Sequence, residues 1–151
     1  IELVSASGER LAVADLDAKY RLIFFGYTNC PDVCPLTMAR LADIYRNLDE
    51  PQEVQVVMIT VDPANDTPER VQRYAANFHP DFIGLSGTNS EIASAAKRFY
   101  IGVNSIGEGL VAHSDPVALV DSQGKMRVIY NQDNVPRLED DLRTLLAQQP
   151  W

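Results

Sequence analysis

Leu22–Tyr27 is a continuous apolar run, of the kind found in strands that are buried on both faces. A second pattern begins eight residues later, in Pro35–Asp49. Its apolar residues recur at the spacing of one helix face, at Met38, Leu41, Ala42, Tyr45 and Leu48. A buried strand followed by an amphipathic helix is typical of a sheet that is covered by helices. The fold prediction for the whole chain starts from this strand and helix.

The rest of the sequence alternates between strand and helix patterns. Four further strand regions are predicted, namely an N-terminal hairpin of Ile1–Val4 and Arg10–Val13, single strands at Val54–Val61 and Phe82–Leu85, and a late hairpin of Val117–Val120 and Met126–Tyr130. Helices are predicted after Thr67, which has Pro68 in the first helical position, after the capping pair Thr88 and Glu91, and after Asn134. Tyr100–Gly109 holds three glycines and is predicted to be an irregular loop.

Length and charge limit the function classes. The 151 residues suit one domain, which we predict to span 1–151. A net charge of −8 repels phosphate backbones, so no nucleic-acid partner is expected. The apolar run Leu22–Phe25, which ends at Gly26, is as long as any in the chain without a glycine, and it is too short to cross a bilayer. Because the chain starts at Ile1 without a leader pattern, any signal or anchor is expected to lie outside it.

The only two cysteines, Cys30 and Cys34, stand between the buried strand and the first long helix. A disulfide between them would close so short a loop that it could stabilise the fold little, so the pair is placed for chemistry. Cysteines at this position are the thioredoxin-like arrangement. We therefore predict an α/β fold, a thioredoxin-like sandwich with a central mixed sheet, an N-terminal hairpin and flanking helices.

A helix N-terminus lowers the pKa of nearby thiols, and a thiolate is both a nucleophile and a soft metal ligand. Redox exchange and metal capture are therefore both possible for Cys30 and Cys34. Thioredoxin-type oxidoreductases have two residues between their cysteines, whereas this pair has three. The longer spacing favours a metal without excluding a disulfide.

A third ligand would make a two-thiolate copper site selective, and the chain has two histidines that could supply it. His79 lies at a predicted helix end before Pro80, and it is interpreted as an exposed surface histidine. His113 lies between the glycine-rich loop and a strand. From its pattern alone, it is better explained as a hydrogen-bonded loop residue than as a metal ligand.

Three segments resemble the Sco/SenC family, the thioredoxin-fold copper proteins that help to assemble the binuclear copper site of cytochrome c oxidase. The first segment is Gly26-Tyr-Thr-Asn-Cys-Pro-Asp-Val-Cys-Pro35, and the second is Val61-Asp-Pro-Ala-Asn-Asp-Thr-Pro-Glu69. The third begins with His113-Ser114 and continues through a strand to Asp121-Ser-Gln-Gly124. They occur in the family's order between about Leu22 and Tyr130.

The resemblance implies that Cys30, Cys34 and His113 are the copper ligands, in the Cu(I) or Cu(II) state, and that the two cysteines also form a redox pair. Asp62 falls where the family has an acidic residue that supports the site, although a turn role before Pro63 would explain it equally well. Many members carry His where this chain has Asn29. Asp32 and Asp66 are interpreted as solvated turn or capping residues.

The resemblance implies the function of a metallochaperone more strongly than that of an enzyme. Its expected partners are the copper site of cytochrome c oxidase subunit II, other copper chaperones and thiol reductants. The alternative is a thiol–disulfide oxidoreductase that reduces the cysteines of that copper site. A peroxiredoxin-like peroxidase fits less well, because the Pro-x-x-x-Thr-x-x-Cys pattern is absent. By kinship, the expected location is the periplasm with an N-terminal tether to the inner membrane, or the mitochondrial intermembrane space.

Overall fold

A mixed five-stranded sheet lies at the centre of the computed structural model, which describes residues 2–29, 33–49, 51–99, 103–106, 109–112, 116–131 and 133–148. Within these residues the strands are β1 (Glu2–Val4), β2 (Arg10–Ala12), β3 (Tyr20–Gly26), β4 (Val54–Thr60), β5 (Ile83–Leu85), β6 (Val103–Ile106), β7 (Gly109–Ala112), β8 (Val117–Val120) and β9 (Met126–Tyr130). The α-helices are α1 (Val33–Asn47), α2 (Pro68–Phe78), α3 (Asn89–Arg98) and α4 (Leu138–Gln148).

The strand order in the central sheet is β5-β4-β3-β8-β9. β3 and β4 are parallel, as are β4 and β5, whereas β8 is antiparallel to both of its neighbours. Two small antiparallel hairpins, β1-β2 and β6-β7, accompany this sheet. The expected mixed sheet with an N-terminal hairpin is therefore confirmed.

Both faces of β3 are buried, as its unbroken apolar sequence predicts. Leu22 and Phe24 pack into a core with residues of α1, α2 and α4. Ile23 and Phe25 point to the opposite face and pack with α3 and the N-terminal hairpin. This alternation follows from the two-residue period of a strand and places the sheet between two helical layers. In the described part of the chain, no helix has both the length and the apolar character needed to span a bilayer.

Most predicted elements are confirmed, including two of the three predicted helix caps. Thr67 Oγ1 accepts a hydrogen bond from the Arg70 N–H, and Thr88 and Glu91 form a reciprocal capping box. Two predictions are wrong. Tyr100–Gly109 is not wholly irregular, because it contains β6 and the first residue of β7. Asn134 does not cap α4, since a 3₁₀ turn at Val135–Arg137 intervenes and the Asn134 side chain accepts from the Asn131 N–H instead.

Gly84 lets α2 approach the edge strand β5 at backbone distance. A Cβ at this position would lie 2.5 Å from both the carbonyl carbon and the oxygen of Val71. The Gln72 side chain continues the contact, because its amide donates to Phe82 O at 2.9 Å and accepts from the Gly84 N–H at 2.9 Å. Gln72 thus satisfies backbone groups at an edge that would otherwise be open to another strand.

We expect Gly84→Ala to lower the free energy of unfolding by about 1–3 kcal/mol, because the methyl group meets helix backbone that cannot rotate away. Urea unfolding measures this change. The control is Ser94→Ala on the exposed side of α3, which should stay within about 0.5 kcal/mol of wild type. Equal stability of the two variants would show that α2 is not closely packed on β5.

The turn between β8 and β9 is organised by the buried carboxylate of Asp121. Its Oδ1 accepts the N–H groups of Gln123 and Lys125 at 2.9 and 3.0 Å, and its Oδ2 accepts from Arg127 Nε at 2.8 Å. Burial by itself raises the pKa of this carboxyl, but the hydrogen bonds from Lys125, Arg127 and Gln123 outweigh it. The pKa of Asp121 therefore lies below its ordinary value.

We expect Asp121→Asn to lower the free energy of unfolding by about 1–2 kcal/mol near pH 7. Because the folded-state pKa is below the unfolded one, the carboxylate's contribution is complete above ~pH 5 and is lost as the pH falls through the folded pKa. Urea unfolding of both proteins at neutral pH and at about pH 3 should therefore show a difference that narrows on acidification. A difference that stays constant would contradict the assignment.

Candidate functional site

One edge of the central sheet gathers the chain segments that carry the predicted site. β3 and β4 are parallel with Gly26 paired to Thr60, so the segments that follow them leave the sheet side by side. β8 runs the other way, and its first residue, Val117, is paired with Phe24 near the end of β3. The chain enters β8 at the edge where it leaves β3 and β4. We call this the carboxyl edge.

Helix α1 begins at the carboxyl edge and has Cys34 as its second residue. Pro35 occupies the first turn, as predicted, where a missing N–H costs no helical hydrogen bond. The first turn of a helix presents unpaired N–H groups and the positive end of the dipole, which favour a thiolate. Cys30 and His113 lie outside the described residues, as does the side chain of Cys34, so the proximity of the three predicted ligands stays a prediction.

The buried carboxylate of Asp66 connects the segments that leave β3 and β4. The Asp66 side chain is 0% exposed, and its Oδ2 accepts from the Thr28 N–H at 2.9 Å and from Thr60 Oγ1 at 2.8 Å. Oδ1 accepts from Thr28 Oγ1 at 2.5 Å. The Ser86 hydroxyl, after β5, donates to the Asp66 carbonyl at 3.0 Å. The prediction of a solvated turn residue is therefore wrong for Asp66, which is a buried structural anchor.

Arg70, in the first turn of α2, extends this network to the residue before Cys30. Its Nε donates to Thr28 Oγ1 at 2.9 Å and lies 3.5 Å from Asp66 Oδ1. Its Nη2 donates to Asn29 Oδ1 at 2.8 Å. The amide of Asn29 is therefore held by a guanidinium.

Asp62 lies in the same turn after β4, but it is only partly buried. Its Oδ2 accepts from Asn65 Nδ2 at 2.9 Å, and its backbone carbonyl accepts the N–H groups of Asn65 and Asp66 at 3.1 and 2.9 Å. The carboxylate is thus tied to a side chain, and the backbone carbonyl closes the turn. The supporting role predicted for Asp62 stays a prediction, since the ligands it would support lie outside the described residues.

His79 lies at the C-terminal end of α2, away from the carboxyl edge. Its side chain is only 20% exposed, so the expectation of an exposed histidine is wrong. The ring packs edge-on against Tyr45 with centroids 4.7 Å apart, and Nδ1 accepts from the Asp81 N–H at 3.1 Å. Across the described residues, His, Cys, Asp and Glu side chains form no group of three that could hold a metal ion.

Sequence reasoning missed the network of Thr28, Thr60, Asp66 and Arg70. Asp62 and Asp66 look alike in the sequence, since both lie in one turn before a helix. The strand register distinguishes them, because Thr60 is paired with Gly26 and so brings Asp66 against Thr28. One sequence feature could have indicated the network. Thr28 and Thr60 lie at or just after the ends of two buried strands, and their hydroxyl groups need a hydrogen-bond acceptor there.

We expect Asp66→Asn to lower the free energy of unfolding by about 2–3 kcal/mol, because an amide nitrogen would face donors that a carboxylate accepts. Chemical denaturation followed by circular dichroism measures the loss. The matched control is Asp62→Asn in the same turn, which should change stability by no more than about 0.5 kcal/mol. If the two substitutions cost the same, Asp66 is not the anchor of this edge.

The fold and the placement of the cysteine motif define the protein class. A central mixed sheet between two helical layers, with a cysteine in the first turn of the helix that follows the central strand, is a thioredoxin-like arrangement. The sequence model of the SCO1/SenC family matches residues 1–147. The chain therefore belongs to the SCO1/SenC family.

Individual relatives agree with this assignment. The chain is 31% identical over 154 residues to the human mitochondrial SCO2 homologue, covering 96% of this chain and 58% of the human protein. It superposes on Arabidopsis thaliana ScoI, a structure with copper bound, with a TM-score of 0.81, 28% identity and 98% and 96% coverage of the two chains. BsSco, a Sco protein described by its disulfide switch, gives a TM-score of 0.74 at 28% identity, covering 97% and 89%.

Proposed function

We propose that this protein binds copper through Cys30, Cys34 and His113 and helps to build the binuclear copper site of cytochrome c oxidase. The carrying observation is the topology of the carboxyl edge. Asn29, immediately before Cys30, follows β3 at that edge. Val117, four residues after His113, begins the neighbouring strand β8 at the same edge. Similarity to a copper-bound ScoI structure supports copper as the metal.

The donor set suits Cu(I). Two thiolates and a neutral imidazole are soft or borderline ligands, and together with Cu(I) they leave one net negative charge. The first turn of α1 favours such a charge. Copper is the cargo in this proposal, so it must also leave, by exchange with the thiolates and imidazoles of the subunit II site. Another copper chaperone would supply the metal.

The second candidate function is reduction of the disulfide in that copper site. The disulfide switch described for BsSco supports this candidate. The Cys30 and Cys34 thiols would pass two electrons and two protons to the partner disulfide and become a disulfide themselves. A thiol reductant would then restore them. Both functions use the thiols of Cys30 and Cys34. Oxidation to the disulfide removes both soft ligands, so one molecule cannot bind copper while its cysteines are oxidised.

For location, we propose a compartment outside the cytoplasm, where this copper site is assembled. That is the periplasm in a bacterium, with a tether to the inner membrane, or the mitochondrial intermembrane space. The mitochondrial name of the human relative supports the second form.

The test is His113→Ala compared with His79→Gln, since His79 is the other histidine and lies away from the carboxyl edge. Under anaerobic reducing conditions, competition with a chromogenic Cu(I) chelator measures the dissociation constant. We expect His113→Ala to weaken Cu(I) binding by more than about tenfold and His79→Gln to leave it unchanged. Unchanged binding in His113→Ala would remove the histidine from the ligand set.

A parallel assay separates the two functions. Each variant is incubated with an oxidised peptide that carries the two cysteines of the subunit II copper site, and the free thiols are counted. The reductase function needs no imidazole, so His113→Ala should reduce the peptide at the wild-type rate if that function is real. Copper transfer to the reduced peptide should fall in the same variant.

A further inference from the structure

The Arg70 guanidinium is the described side chain that ties α2 to the residue preceding Cys30. It reaches Asn29 Oδ1 at 2.8 Å and Thr28 Oγ1 at 2.9 Å. Thr28 is itself fixed, because both its N–H and its hydroxyl donate to the Asp66 carboxylate. Asn29 has an exposed side chain, and its Oδ1 accepts this hydrogen bond from Arg70. Arg70 is therefore placed to control how the chain enters Cys30.

The described residues on the two sides of Cys30 are attached to different elements. Cys34 belongs to α1, whereas the residues before Cys30 are attached to α2 and to the turn after β4. Three residues separate Asn29 from the first residue of α1. Over so short a segment, the orientation of Asn29 restricts where the Cys30 sulfur can lie relative to Cys34, since three residues span at most roughly 11 Å.

We propose that Arg70 is a positioning residue for the cysteine pair: it holds Asn29 so that the two sulfurs are prearranged for closure around copper or into a disulfide. The inference rests on the proposed function, because it concerns the same two sulfurs. Binding copper with both sulfurs and forming the disulfide each close a ring, and each closure costs conformational entropy of the segment that carries Cys30. A segment already held at Asn29 loses less of that freedom, so both closures are more favourable.

The proposal depends on the shape of the guanidinium and not only on its charge. Arg presents several N–H donors in a fixed plane, so Nε and Nη2 can serve two acceptors at once. A Lys ammonium has the same charge on a flexible stem, and it cannot reproduce this two-point contact with Thr28 and Asn29. Comparing Arg70→Lys with Arg70→Gln therefore separates positioning from electrostatics.

The experiment uses the full chain with Arg70→Gln, Arg70→Lys, Asn29→Ala and the double variant Arg70→Gln/Asn29→Ala. The control is Arg73→Gln, another exposed arginine on α2. The copper-free readout is the equilibrium between the Cys30–Cys34 dithiol and its disulfide in thiol redox buffers. The second readout is the Cu(I) dissociation constant by chelator competition, and circular dichroism checks that each variant is folded.

We expect Arg70→Gln, Arg70→Lys and Asn29→Ala each to weaken Cu(I) binding by about tenfold, as loss of an outer hydrogen bond does at other metal sites. The dithiol should also become harder to oxidise by about three- to tenfold, which raises the potential by roughly 15–30 mV. The double variant should be no worse than the single ones, because both break the same contact. Arg73→Gln should match wild type.

Several results would overturn the proposal. If Arg70→Lys keeps wild-type values while Arg70→Gln loses them, Arg70 acts through its charge. If Asn29→Ala matches wild type, Arg70 does not act through Asn29. Should Arg70→Gln fail to fold, the Asn29→Ala variant alone tests the proposal. If wild type itself does not bind copper, the proposed function fails, and the dithiol–disulfide equilibrium still tests the role of Arg70.

Discussion

The carboxylate of Asp66 is the interaction on which the carboxyl edge depends. A buried charge is stable only when its lone pairs are used, and here they accept one backbone N–H and two threonine hydroxyls. Its donors come from two different strands, because Thr28 follows β3 and Thr60 ends β4. The carboxylate therefore fixes the loop before Cys30 relative to the sheet, in addition to satisfying its own hydrogen bonds.

The sheet topology determines what this anchor can organise. A wholly parallel sheet would bring only the segments after its strands to the carboxyl edge. Because β8 is antiparallel to β3, the segment before a strand is brought to the same edge. A histidine that precedes β8 and a cysteine that follows β3 can then serve one site, although they are 83 positions apart in the chain.

The sequence predicts elements that depend on local chemistry and misses those that depend on distant partners. The buried strand β3, the Thr67 cap and the capping box of Thr88 and Glu91 follow from patterns within a few residues, and each is confirmed. The burial of Asp66 depends on Thr28, 38 residues away, and on a register that no local pattern encodes. The β6-β7 hairpin was missed because its glycines are equally typical of an irregular loop.

The same distinction explains why the cysteine motif was recognised whereas the residues that hold it were not. The motif is contiguous, so its spacing and helix position indicate redox exchange or metal capture from the sequence alone. Its support comes from α2 through Arg70 and from the turn after β4 through Asp66, so it is discontinuous in sequence. A metal carrier needs ligands that can be released to a partner. The described hydrogen bonds of Asp66 and Arg70 hold the chain one residue before the first cysteine. In the proposed function, a fixed attachment at that residue would leave the sulfurs free to exchange copper with the partner.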